Sequence, residues 1–130
     1  MSRVLVVDDS ATMRKIIVKG LREAGFGSCE VTEAADGATA LGALRGAEYD
    51  LVLCDINMPG MDGLSLVRSA REDVTIWPEL PIVMITTEGG LEKVEEALAS
   101  GATDYLRKPF SSEQLQHKIT SMLADRIRTE

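Results

Sequence analysis

The chain has 130 residues, with 14 Lys and Arg against 21 Asp and Glu, so its formal charge is −7. That length fits one domain with a sizeable core, and the acidic balance argues against general nucleic-acid binding, which needs clustered cations. No apolar run approaches the ~18 residues of a membrane helix and no signal-peptide pattern opens the chain, so membrane insertion is not expected.

The first predicted element is a β-branched run, Arg3–Val7, which ends directly in Asp8-Asp9. Ser10 follows as a helix cap, then Met13, Ile16, Ile17, Leu21 and Ala24 recur at helical spacing until Gly25 stops the helix. A short strand is expected over Cys29–Glu33, and a second helix over Ala34–Leu44, weakened by Gly37 and Gly42. The run Tyr49–Cys54 reads as a buried parallel strand leading into Asp55. Asn57-Met58-Pro59-Gly60 then turns the chain, Pro59 fixing φ and Gly60 permitting the bend. Cys29 and Cys54 both fall in strands, where small buried thiols in a reducing, cytoplasmic compartment are expected.

Leu64, Val67 and Ala70 mark a third helix, capped by Asp62 and ended within Asp73–Pro81. Leu80–Thr86 is a fourth apolar strand, followed by a pliable Thr87-Glu88-Gly89-Gly90 loop. Leu91, Val94, Ala97 and Leu98 share a face of the fourth helix, which Gly101 stops. A fifth strand, Thr103–Arg107, is ended by Lys108-Pro109. Ser111 or Ser112 caps the last helix, with Leu115, Ile119, Met122, Leu123 and Ile127 as its apolar stripe and Arg126 and Arg128 at its negative end. Trp77 has no role that the sequence defines, and His117 lacks partners at metal-ligand spacing and reads as a surface residue.

Strands alternating with helices imply a parallel sheet covered on both faces. Right-handed crossovers then bring every strand's carboxyl end to one edge. Asp8-Asp9, Asp55, Thr86-Thr87 and Lys108 each follow or end a strand, so all should meet on that edge. A lone turn aspartate is ordinarily just solvated. An acid pair, an acid, a hydroxyl pair and a lysine on one edge are not explained that way.

Three converging carboxylates repel one another unless a positive charge intervenes. Mg²⁺ takes oxygen ligands and suits such a site, while Lys108 suits an incoming phosphoryl group and Thr86 can donate to its oxygens. A carboxylate so placed can act as a nucleophile and form an aspartyl-phosphate.

Together, Asp8-Asp9, Asp55, Thr86 and Lys108-Pro109 resemble the receiver domain of two-component response regulators, over essentially the whole chain. Asp55-Ile-Asn-Met-Pro-Gly-Met-Asp-Gly63 is similar to the phosphorylation segment of the single-domain chemotaxis regulators. The resemblance implies a flavodoxin-like (CheY-like) α/β fold, a five-stranded parallel sheet in the order 2-1-3-4-5 flanked by five helices. It implies that Asp55 accepts phosphate from a histidine kinase of the CheA-like type. Asp9, Asp55 and the Asn57 carbonyl would hold Mg²⁺, with Asp8 acting through water. Thr86 and Lys108 would hold the phosphoryl group, Tyr105 would be the switching aromatic, and Lys108-Pro109 would be cis. The expected unit is one monomeric receiver domain, 1–130, without an output domain. Its phosphorylated form would be read by a downstream effector such as a flagellar motor switch protein, and a phosphatase could reset it. It would be no enzyme beyond catalysing its own phosphorylation and dephosphorylation.

Asn57 and Glu88 match the chemotaxis type, whereas Thr87 and Gly89-Gly90 depart from it, so a stand-alone phosphorelay carrier is the alternative. A haloacid-dehalogenase-type phosphohydrolase would use a second acid two residues after the nucleophile, and that position is Asn57. A flavin or nucleotide module is disfavoured because no glycine-rich fingerprint follows the first strand and no Walker motif occurs.

Overall fold

The computed structural model describes residues 3–58, 60–87 and 91–128, without the side chains of 91 and 123–128. The expectations for Pro59, for Glu88-Gly89-Gly90 and for the side chains of Leu91, Leu123, Arg126, Ile127 and Arg128 lie outside the described residues. Five strands, β1 (Arg3–Val7), β2 (Glu30–Ala34), β3 (Leu51–Asp55), β4 (Ile82–Thr86) and β5 (Asp104–Arg107), form one parallel sheet in the order β2-β1-β3-β4-β5. Five helices alternate with them: α1 (Ala11–Leu21), α2 (Gly37–Gly46), α3 (Gly63–Glu72), α4 (Leu91–Ala99) and α5 (Ser112–Arg128). The implied topology is therefore the observed one.

Alternation along the strands splits the core in two. Leu5, Val7, Val52, Cys54, Ile82 and Met84 face α2, α3 and α4, meeting Leu41, Leu66, Val67 and Val94. Val4, Val6, Leu51, Leu53, Val83 and Ile85 face the other way, onto Ile17 and Leu21 of α1 and Leu115 and Ile119 of α5. β3 and β4 are buried along their whole length, as continuous apolar runs demand of central parallel strands.

Short side chains set the helix starts. Ser10 accepts from the Met13 N–H at 3.1 Å, Asp36 from Thr39 at 2.7 Å and Asp62 from Ser65 at 2.9 Å. Before α5, Ser111 Oγ accepts from the Gln114 N–H at 3.1 Å while Gln114 Oε1 accepts from the Ser111 N–H at 2.8 Å, a reciprocal capping box. After α1 a π-helical turn, Arg22–Phe26, ends the helix where Gly25 takes φ +100°, a conformation that disfavours other residues.

Several expectations need correction. β2 runs one residue later than expected, and Ala34 belongs to it rather than to α2. It pairs with Val7, and its carbonyl accepts the Asp8 N–H at 3.1 Å. Tyr49, Leu80 and Thr103 precede their strands, and Asp55 is the last residue of β3 rather than the first after it. Ile16 is 52% exposed because Ile17, next to it, takes the inward position. Leu98 is 38% exposed, so Val94 and Ala97 carry the described inner face of α4. Cys29 lies just before β2, half-buried, and Cys54 is fully buried. Trp77 lines a groove of about 420 Å³ with Leu44, Tyr49, Val74, Ile76 and Pro78, at the amino-terminal end of β3 and β4.

Candidate phosphoryl-transfer site

The strand order reverses direction between β1 and β3, and open parallel sheets bind ligands outside the carboxyl ends of the strands at such a point. Asp8 and Asp9 follow β1, and Asp55 ends β3. Their carboxylates each offer an oxygen within 4.8 Å of the others. Asp8 is 1% exposed and Asp9 open to solvent, so the cluster has a buried floor and a wet rim. Asp8 Oδ1 accepts the Ser10 N–H at 2.9 Å, and its backbone carbonyl accepts from the Arg14 guanidinium at 2.6 Å. Arg14 also donates to Glu33 on β2 at 3.0 Å, which ties the first turn of α1 across the edge of the sheet.

Lys108, just past β5, places its ammonium 3.3 Å from Asp8 Oδ2 and 3.6 Å from Asp55 Oδ1. Its N–H donates to the Thr86 carbonyl at 2.6 Å, and the Lys108-Pro109 peptide is cis, as expected. Burial pushes the Asp55 carboxyl above the usual range. Lys108 and the Asn57 N–H, 3.4 Å from Oδ1, pull the other way, while the charges of Asp8 and Asp9 add to the rise. Burial, with the nearby Asp55 and Asp8 charges, also drives the Cys54 thiol far above its ordinary value.

Gly63 explains how Asp55 is held. A Cβ there would lie 2.6 Å from the Asp55 carbonyl and 2.9 Å from the Ile56 Cα, so only glycine lets α3 start this close behind β3. The Gly63 N–H donates to the Ile56 carbonyl at 3.2 Å, closing the loop between β3 and α3. Asp62 acts as the cap of α3, as its place before Gly63 suggested.

Thr86 is buried at the end of β4, one residue beyond the pairing of Asp55 with Ile85. Its hydroxyl donates to the Thr87 carbonyl at 3.1 Å. Tyr105 pairs with Met84, and Thr86 with Arg107, so the Thr86 and Tyr105 side chains sit diagonally on one sheet face. Tyr105 is half-buried against the α2–α4 side of the core, with the Lys118 ammonium 5.8 Å from its ring centre. His117 is exposed.

Two contributors do not emerge from the sequence analysis above. Arg14 could have been noticed as a cation in the first turn after an acid pair. Lys93 on α4 donates to Asn57 Oδ1 at 2.8 Å, a contact spanning 36 residues that no local pattern encodes.

A family model for the response regulator receiver domain matches residues 4–120. The chain belongs to that family. Among curated relatives, the chemotaxis protein CheY-3 of Vibrio cholerae is 41% identical over 117 residues, 90% of this chain and 88% of that one. The chemotaxis protein CheY of Pseudomonas aeruginosa is also 41% identical over 117 residues, covering 90% of this chain and 92% of the relative. Among solved structures, Vibrio cholerae CheY4 superposes with a TM-score of 0.83 at 40% identity, covering 95% of this chain and 99% of that one. The receiver domain of a Pseudomonas aeruginosa sensor histidine kinase, solved with magnesium coordinated in its active-site cleft, superposes with a TM-score of 0.83 at 30% identity, covering 95% of this chain and 98% of that one. In this chain Asp8, Asp9 and Asp55 form an acidic pocket whose three carboxylates suit a hard divalent cation. Among the described residues no helix is long and apolar enough to cross a membrane.

Proposed function

We propose that this receiver domain is a phosphorylation-dependent switch that accepts a phosphoryl group on Asp55 from a histidine kinase. One observation carries the reading: Asp8, Asp9, Asp55 and Lys108 arrive from three separate strand ends and meet at the switch point. Asp55 is the nucleophile because it is fixed by the strand and by the close packing at Gly63, and it faces Lys108 at 3.6 Å. Mg²⁺ would be held by Asp9, Asp55 and the Asn57 carbonyl, with Asp8 reaching it through water. Bound there, the ion would supply charge neutralisation for the acids and the transferring group. Lys108 binds the phosphoryl oxygens, and its existing contacts with Asp8 and Asp55 keep its ammonium in place for that role. Thr86 donates its hydroxyl to the same group after leaving the Thr87 carbonyl, and Tyr105, on the same sheet face, moves into the space this opens.

Output then lies on α4, β5 and α5. The names of the relatives favour chemotaxis, with a flagellar motor switch protein as the effector, over a stand-alone phosphorelay carrier. The hydrolase alternative lacks its second acid, since Asn57 fills that position and its amide is engaged by Lys93. The domain works as a monomer in the cytoplasm and is reset by its own dephosphorylation or by a phosphatase. Incubation with Mg²⁺ and acetyl phosphate, followed by trapping and mapping of the acyl phosphate, should place one label on Asp55. Full labelling of the Asp55→Asn variant would defeat the assignment.

A further inference from the structure

Two lysines stand at the site and they are not equivalent. Lys108 is 13% exposed and already committed to Asp8 and Asp55, at 3.3 and 3.6 Å. Lys93 is exposed, and among the described residues its hydrogen-bond partner is a neutral amide, Asn57 Oδ1 at 2.8 Å. Its charge is therefore not matched by a described carboxylate. The tether also fixes where that charge sits. Asn57 links it inward, since its own N–H donates to Asp55 Oδ1 at 3.4 Å. The ammonium thus lies on the rim of the pocket, on the residue next but one to the acceptor.

A small phosphodonor is an anion, and it approaches a chain of net charge −7 and a pocket with three carboxylates. Like charge slows such an encounter, and a cation fixed at the mouth offsets it. In-line transfer also puts the departing oxygen on the side away from the nucleophile, toward the mouth of the pocket, and Lys93 is exposed to solvent beside Asn57. An untethered lysine would lose side-chain entropy on engaging the donor, whereas the Asn57 contact has already restricted it.

We propose that Lys93, held at the rim by Asn57, draws anionic phosphodonors to Asp55 and meets their departing oxygen. The inference rests on the reading of Asp55 as the acceptor. With acetyl phosphate, an Asp55 carboxylate oxygen forms a bond to phosphorus while the bond from phosphorus to the acyl oxygen breaks. The electron pair leaves with acetate, and no proton is transferred.

The test is the second-order rate constant for Asp55 labelling by acetyl phosphate at saturating Mg²⁺. It is measured from low salt to about 0.5 M, where the screening length falls to a few ångström. Wild type is compared with Lys93→Ala, Lys93→Glu and Lys93→Arg, each checked for an unchanged thermal midpoint. Lys93→Ala should slow labelling on the order of three- to tenfold at low salt. Lys93→Glu should slow it more, Lys93→Arg should stay near wild type, and the gaps between the four curves should narrow as salt rises. Unchanged labelling in Lys93→Ala at low salt overturns the proposal. So does a loss of equal size at every salt concentration, because a purely structural role would give that. A wild type that takes no label on Asp55 defeats the acceptor reading itself, and the two failures are told apart by that control.

Discussion

Asp55→Asn should make the metal-free protein more stable, although Asp55 is the residue on which its signalling is proposed to depend. The buried Asp8, with an oxygen within 4.8 Å of Asp55, repels it by at least about 3.5 kcal/mol at an effective dielectric of ~20. Lys108, at 3.6 Å, attracts it by about 4.6 kcal/mol on the same scale. Water and salt screen most of the push from the exposed Asp9. These charge effects nearly cancel, so burial decides the sign, as it does for the raised pKa of Asp55. Removing a poorly hydrated carboxylate should then gain about 1–2 kcal/mol, well below the several kcal/mol of full desolvation because Asp55 keeps some contact with water. A raised folded-state pKa means that the folded protein holds the extra proton between the unfolded and folded values. Wild-type stability therefore falls as pH rises through that window, and the variant's advantage is largest at neutral pH and shrinks in acid. Thermal melts without Mg²⁺ at pH 7 should show the variant about 3 to 8 °C higher. Added Mg²⁺ at a hundred times its Kd should raise the wild type by about 2.7 kcal/mol and the variant much less. A variant that melts lower at pH 7, or an advantage that persists unchanged at acid pH, would refute this account of the site.

Other residues give independent checks. The Arg71 guanidinium donates to the carbonyls of Gly101, Pro78 and Leu80 at 2.9, 2.9 and 2.7 Å, so Arg71→Ala should cost about 2–3 kcal/mol in urea unfolding while Asp55 is still labelled. Gly63→Ala puts a methyl group 2.6 Å from the Asp55 carbonyl, and about 1–3 kcal/mol of stability should be lost together with labelling rate. The buried Cys54 thiol, with its strongly raised pKa, should resist alkylation in native protein at pH 8 and react only on unfolding. Ready modification of Cys54 at native stability would show that β3 opens locally.

The carboxyl edge of the sheet was legible because apolar strand runs end abruptly in polar residues. Asp8, Asp55, Thr86 and Lys108 could each be placed by that transition alone. What failed was whatever depends on neighbours in space. Ala34 is a good helix former, but its carbonyl is taken by the Asp8 N–H and its strand by Val7, so tertiary pairing overrode propensity. Asp36 had the chemistry of a cap, and reading it would have moved the start of α2 to Gly37. Ile16 and Ile17 are adjacent on a helix and cannot both point inward, and periodicity does not say which one wins. The Lys93 contact with Asn57 and the direction of the Thr86 hydroxyl are set by side-chain geometry after folding, beyond the reach of spacing.

The Thr86 hydroxyl bears directly on how the resting state can be left. It donates to a neutral carbonyl, at 3.1 Å, belonging to its own chain neighbour. A neutral hydrogen bond of this kind is worth about 1 kcal/mol net, and one to an ionised phosphoryl oxygen is roughly twice as strong. The proposed exchange would therefore favour the phosphorylated arrangement by about one tenfold step in population, at ~1.4 kcal/mol per step. That single step is too small to hold a switch fully over. Lys108 offers little more, because it already has two carboxylate partners before any phosphoryl group arrives. The rest has to come from packing behind Thr86, where Tyr105 lies half-buried on the same sheet face beside the Lys118 ammonium. Burying more of that ring at ~25 cal/mol per Å² would contribute a further kcal/mol for each ~40 Å² covered. On these magnitudes the aromatic ring, in the switch proposed above, would supply a share of the energy comparable to that of the hydroxyl, and a partner docking over α4, β5 and α5 would add the remainder by closing over it.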